Sequence, residues 1–132
     1  MRFMLMMTGG APQPGQGVEG WPKAAFKAHL DFMGELNRQL KAEGRFVDVQ
    51  GLDYPPKLKV VRATRERTPS VIDGPFAETK EFLFGYWIIS VDSPEEAYDV
   101  AARVSAAPGP DGQPLNMPIE VRQVMDGPLP GA

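Results

Sequence analysis

The spacing of apolar residues predicts two amphipathic helices. Between Trp21 and Glu43 apolar residues recur every three or four positions, the period of a helix with one buried face. Pro22 suits the first turn of this helix, and Gly44 suits the residue after its end. The predicted inward-facing residues are Phe26, Leu30, Met33, Leu36 and Leu40.

A second helix is predicted from Ser93 to about Val104. Ser93 is the expected N-cap, Pro94 the first helical residue, and Glu96 completes a capping box with Ser93. The residues predicted to face inward are Ala97, Val100, Ala101 and Val104.

Runs of β-branched and aromatic residues predict six strands, separated by turns and by two Gly/Pro-rich loops. The strands are expected at 2–8, 45–52, 57–63, 69–73, 84–91 and 119–124, and the loops at 9–20 and 107–116. The third and fourth strands form a hairpin. The remaining order is the split βαβ arrangement, so we expect an α+β, ferredoxin-like βαββαβ fold with an additional β-hairpin. Two helices cover only one face of such a sheet, and a second copy of the chain is the simplest cover for the other face.

Composition narrows the class of protein. A length of 132 residues with 42% hydrophobic and 23% charged residues suits one globular domain, expected over 1–126, with 127–132 as a flexible tail. No cysteine is present, which excludes disulfides and thiolate catalysis. A net charge of −3 argues against a nucleic-acid surface. Glycines and prolines interrupt the apolar N-terminus, so we expect a buried strand there, with no signal peptide and no membrane span, in a cytoplasmic protein.

The segment from Asp73 to Glu81, followed by a strongly apolar strand, is the most specific motif. Asp73-Gly74-Pro75 predicts a tight turn, because Gly74 adopts backbone angles closed to other residues and Pro75 fixes its own φ. The order D-G-P-F-A-E-T-K-E followed by G-Y-W resembles the DGPF branch of the YCII-related family. That resemblance extends over nearly the whole chain and implies a homodimer in which two sheets form a dimeric α+β barrel.

His29 is the leading catalytic candidate. It is the only histidine, and it lies at the border of the apolar stripe of the first helix. A histidine with only a local structural hydrogen bond is the alternative. The YCII resemblance implies an acid–base pair of this histidine with an aspartate at the end of the first strand, but Met7-Thr8-Gly9-Gly10 stands there. Asp73 is the best substitute; its alternative role is to stabilise its own turn.

Four aromatic residues are candidates for substrate binding: Trp21, Phe76, Tyr86 and Trp87. Tyr86 and Trp87 point to opposite faces of one strand, so only one of them can face a pocket or a dimer interface. Packing in the core is the alternative for both. Trp21 either fixes the preceding loop or covers a cleft.

The predicted hairpin is locally basic, with Lys57, Lys59, Arg62, Arg65 and Arg67. Their alternation with apolar residues favours a solvated strand face that protects an edge, over a site for an anionic metabolite or a partner protein. No metal-ligand spacing, P-loop, dinucleotide fingerprint or nucleophile elbow is present, so no cofactor or metal is expected.

Two functions from different classes remain. One is a small-molecule-binding protein that acts as a cofactor-independent acid–base enzyme, of isomerase or lyase type, with His29 as base. The other is a non-catalytic accessory or regulatory dimer, which the family resemblance links to alternative sigma factors. The sequence does not identify a substrate.

Overall fold

A computed structural model describes residues 1–10, 17–53, 58–74 and 81–127. Its elements in chain order are β1 (Arg2–Gly9), α1 (Lys23–Ala42), β2 (Phe46–Gly51), β3 (Lys59–Arg62), β4 (Ser70–Asp73), β5 (Phe82–Ser90), α2 (Pro94–Ser105) and β6 (Ile119–Gln123). A single 3₁₀ turn at Val18–Gly20 precedes α1. Residues 128–132, most of the predicted tail, lie outside the described part.

Four strands form an antiparallel sheet in the order β2-β5-β1-β6. Each helix connects two strands that have a third strand between them: β5 lies between β1 and β2, and β1 lies between β5 and β6. This is the ferredoxin-like topology. β3 and β4 form a separate two-stranded sheet inserted between β2 and β5. The predicted α+β fold with an additional hairpin is therefore confirmed.

The core lies between the helices and one face of the sheet. β1 contributes Phe3 and Leu5, which pair with Ile89 and Trp87 of β5, so alternate residues of the two central strands face the helices together. α1 adds Leu36 and Leu40, and α2 adds all four of its predicted residues: Ala97, Val100, Ala101 and Val104.

Local signals set the start of α2 and the end of α1. The Ser93 hydroxyl accepts a hydrogen bond from the Glu96 N–H at 3.3 Å, and the Glu96 carboxylate accepts one from the Asp92 N–H at 2.9 Å. Gly44 has a φ of +73°, the left-handed conformation that ends α1. Pro22 lies one position earlier than expected, as the N-cap of α1.

The stripe predicted for α1 is wrong at Leu30, which is 53% exposed. Phe32, which periodicity did not select, packs against the core together with Met33. The reason is geometric: α1 contacts β2 on one side and α2 on the other. Phe32 lies beside α2, in the groove between the two helices, whereas Leu30 lies on a part of the helix surface that stays exposed.

The face of the sheet opposite the helices, which we call the outer face, carries an apolar stripe. Register and alternation place Met4 and Met6 of β1 beside Ile88 and Tyr86 of β5, and all four are half-buried. Polar residues of the edge strands flank the stripe: Asp48 and Gln50 on β2, and Glu120 and Arg122 on β6. No element of the described chain covers this face.

Candidate functional site

The candidate site lies at one end of the sheet, where β1 and β2 end and β5 and β6 begin. The strand pairs Gly9–Phe82, Gly51–Gly85 and Met7–Ile119 mark this end. The start of α1 and the end of α2 meet at the same end, because His29 contacts Pro108. In a ferredoxin-like sheet this end collects loops from four elements, and binding groups concentrate on such loops.

His29 is half-buried, and its Nδ1 lies 2.9 Å from the carbonyl oxygen of Pro108. A carbonyl can only accept a hydrogen bond, so Nδ1 carries the proton. In the neutral ring Nε2 is then the nitrogen with the free lone pair, able to take a proton from a bound molecule. This arrangement is the one a general base requires, with a backbone carbonyl in the orienting position where a carboxylate often stands.

Trp21 contacts the His29 ring directly. The two ring centroids are 5.3 Å apart, and the planes are nearly perpendicular, at 85°. The edge-to-face contact restricts rotation of the imidazole about its side-chain bonds. Trp21 itself follows the 3₁₀ turn, and its backbone N–H donates a hydrogen bond to the Val18 carbonyl at 3.0 Å. Two candidates from the sequence are thus in contact, and their roles in substrate binding and catalysis stay predictions.

The loop after α2 fixes the position of the Pro108 carbonyl. Pro108 pairs with Pro114 in an isolated β-bridge, and Gly112, with a φ of +80°, makes the turn between them. Backbone hydrogen bonds of 2.8–2.9 Å close the loop on both sides: Gly109 N–H to Gln113 O, Leu115 N–H to Ala107 O, and Asn116 N–H to Ser105 O. The sequence predicted an irregular loop here but gave no signal for its role, because a backbone carbonyl can belong to any residue type.

The side chain of Asp73 pairs with Lys59, not with His29. It is the last residue of β4, where its exposed carboxylate pairs with the ammonium of Lys59, the residue opposite it in β3. Asp73 is thus at the base of the hairpin, and a carbonyl rather than a carboxylate contacts His29 at Nδ1. The His29–Asp73 dyad stays a prediction.

The aromatic candidates are distributed over three regions. Tyr86 lies on the outer face of the sheet, half-buried beside Met6. Trp87 lies in the core, 3% exposed, and its Nε1–H donates to Asn37 Oδ1 at 3.0 Å. Phe76 is outside the described residues. Among the three that the structure describes, Trp21 is the one whose ring contacts His29.

Two cavities occur away from His29. A groove of about 280 Å³ between the helices has an apolar floor that includes Phe32 and Leu36, with Arg103 at its rim. A polar hollow of about 270 Å³ surrounds Arg45 at the opposite end of the sheet. Within the described ranges, no three ligating side chains are grouped so that they could hold a metal ion. In the same ranges, no helix is both long and apolar enough to traverse a bilayer.

Comparison with known proteins agrees with this architecture. The model of the YCII-related domain matches residues 1–109. The chain belongs to the YCII-related family. The matched range contains Trp21, His29 and Pro108, and the second half of the loop that holds Pro108 follows this range.

A relative from Rhizobium meliloti (strain 1021), the uncharacterized protein R00369, is 54% identical over 90 residues. The alignment covers 68% of this chain and 72% of the relative. The name of this relative gives no family and no substrate. Membership of the DGPF branch stays a prediction from the Asp73-Gly74-Pro75 motif.

Proposed function

We propose that this YCII-related protein binds a small molecule at the His29 end of its sheet and acts there as a cofactor-independent acid–base enzyme, of isomerase or lyase type. The observation that carries the proposal is the contact between His29 Nδ1 and the Pro108 carbonyl. It assigns the proton to Nδ1 and leaves Nε2 as a base, and Trp21 and the closed loop hold the ring in place.

We further propose that the protein is a cytoplasmic homodimer, in which the outer faces of two sheets pack together. The half-buried apolar stripe with Met6 and Tyr86 supports this pairing.

The single histidine makes the proposal directly testable by NMR. The ring protons and nitrogens of His29 give signals that no other residue can produce. Nitrogen shifts typical of a protonated Nδ1 and an unprotonated Nε2 at pH 8 are expected. The opposite tautomer would contradict the assignment of the base.

The catalytic step can be tested without knowing the substrate. Small polar carbonyl and carboxylate metabolites are screened for those that shift the His29 signals, and each hit is then incubated with the protein in D₂O. Proton abstraction by His29 replaces hydrogen next to the carbonyl with deuterium, which mass spectrometry detects. His29→Gln should bind the hit but lose the exchange by about 10²-fold or more. Exchange that survives in His29→Gln would refute a catalytic His29.

The variant Asp73→Asn distinguishes two hypotheses: that Asp73 orients His29, and that the Pro108 carbonyl orients it. If Asp73 orients His29 in the working protein, the exchange rate falls and the His29 nitrogen signals change, because the ring loses the group that holds it. If the Pro108 carbonyl is the orienting group, both measurements stay at the wild-type values. Lys59→Gln is the matched control, since it breaks the ion pair of Asp73 and leaves its carboxylate in place.

The second candidate function is a non-catalytic accessory or regulatory dimer, including a role beside alternative sigma factors. The contact of Trp21 with the His29 ring favours it, because an indole that fills the space beside the imidazole also excludes a ligand. In that case Trp21→Ala opens the space and creates metabolite binding that the wild-type protein lacks. In the enzyme, Trp21→Ala instead weakens binding of the screened hits.

A further inference from the structure

We propose that the hairpin of β3 and β4 is a dimerisation arm that packs against the body of a second copy of this chain. The inference rests on the homodimer proposed above and adds a contact to it. It begins from the isolation of the hairpin: β3 and β4 form a sheet of their own, with no strand of the main sheet beside them. A two-stranded hairpin without cover is at best marginally stable in water, so this ribbon requires a surface to pack against.

The hairpin exposes apolar residues on both of its faces. Val61 and Val71 lie opposite each other and are 59% and 56% exposed. The adjacent pair, Val60 and Ile72, points to the other face, and Ile72 is 48% exposed. Single exposed apolar residues are ordinary, but a contiguous group on one short ribbon marks an interaction surface. Since these side chains are exposed within one copy, its own body does not cover them.

Charge identifies a second copy as the occupant. Residues 58–74 contain four basic side chains (Lys59, Arg62, Arg65 and Arg67) and two acidic ones (Glu66 and Asp73), a net charge of +2. The whole chain carries −3, so the rest of the chain carries −5. A basic arm and an acidic body attract each other, and each copy supplies one of each. In a two-fold dimer both arms make the same contact, so the attraction acts twice.

Position along the chain supports the same arrangement. The hairpin is inserted between the end of β2 and the start of β5, two adjacent strands of the sheet whose outer face is uncovered. The hairpin is therefore attached at one end of the sheet whose outer face the proposed dimer buries. The edge strands beside these paired faces also carry carboxylates, Asp48 on β2 and Glu120 on β6, next to one cation, Arg122.

The test combines sedimentation with hydrogen exchange. Val61→Lys together with Val71→Glu removes the apolar contact but keeps the net charge and places opposite charges across the ribbon, so the hairpin itself is preserved. This variant should weaken the dimer by at least about tenfold, since two buried valines are lost from each arm. Tyr98→Lys, on the exposed side of α2, is the control and should leave the dimer unchanged. In the wild type, the amides of 59–62 and 70–73 should lose protection on dilution, together with the dimer.

Two results overturn the arm alone: a dimer that the Val61/Val71 variant does not weaken, or hairpin amides that are equally protected in the dissociated monomer. The sheet-paired dimer survives either result. A wild-type protein that sediments as a monomer at micromolar concentration overturns the dimer and the arm together.

Discussion

The hydrogen bond between Trp87 and Asn37 provides the sharpest test of the core. Trp87 is 3% exposed, and its only polar atom, Nε1, donates to Asn37 Oδ1 at 3.0 Å. Truncation in Asn37→Ala leaves that N–H without its partner inside the protein. An unsatisfied buried donor costs about 1–3 kcal/mol. Asn37 is half-buried, so water reaches the gap in part, and we expect a loss of about 1–2 kcal/mol.

A double-mutant cycle separates the hydrogen bond from packing. Trp87→Phe removes the donor and part of the ring, with an expected cost of about 1–3 kcal/mol from the cavity that remains. With phenylalanine at position 87 there is no buried N–H to lose its acceptor. Asn37→Ala should then lower the free energy of unfolding by less than about 0.5 kcal/mol. The coupling between the two changes is therefore expected at about 1 kcal/mol.

Urea unfolding followed by far-ultraviolet circular dichroism measures each variant without depending on tryptophan fluorescence. Thermal unfolding should show the same order, with roughly 3–6 °C lost per kcal/mol for a domain of this size. Leu30→Ala, on the same helix and 53% exposed, is the control and should stay within about 0.5 kcal/mol of the wild type. Additive losses in the cycle, with a coupling near zero, would refute a structural hydrogen bond between these side chains.

Further predictions follow from single residues. Leu36→Ala should destabilise the protein by about 2–5 kcal/mol in urea unfolding, since Leu36 is 3% exposed in the core. Ser93→Ala should cost about 1 kcal/mol in the same assay, because the Glu96 N–H loses its cap, and Ser93→Thr should restore most of it. Gly44→Ala should cost about 1 kcal/mol through its φ of +73°, whereas Gly44→Asn should be tolerated better; equal losses would contradict this explanation. Gly112→Ala should strain the turn that holds Pro108 and shift the His29 nitrogen signals while the helical content stays unchanged.

The helix ends could be predicted because they depend on residues that are adjacent in the sequence. The prediction failed for the burial of Leu30, which depends on residues distant in the sequence. The cap at Ser93 and the end of α1 at Gly44 depend on adjacent residues, so the sequence contains the whole argument. Leu30 was assigned to the core by periodicity alone. Its exposure depends on how α1 is rotated over the sheet, which no spacing along the helix encodes.

The sequence indicated which side chains to consider for the site, but not which groups hydrogen-bond or pair with them. His29 stood out as the only histidine, and Trp21 as an aromatic at the start of the same helix. The acceptor at Nδ1 could not be found, because the Pro108 carbonyl is 79 positions away and carries no residue-type signal. The Lys59–Asp73 pair likewise depends on strand register, which places the two residues opposite each other.

The central position of β1 also determines when the protein can fold during synthesis. β1 leaves the ribosome before the other strands of its sheet, yet Met1 bonds to Val91, 90 positions later, and Arg2 bonds to Met125, 123 positions later. At roughly 5–20 residues per second, its partners follow after roughly 5–25 s. During that interval an apolar, methionine-rich strand has both edges unpaired. The nascent chain is therefore most exposed to aggregation before β5 emerges, and a chaperone that binds early apolar segments would raise its yield more than one that acts after release.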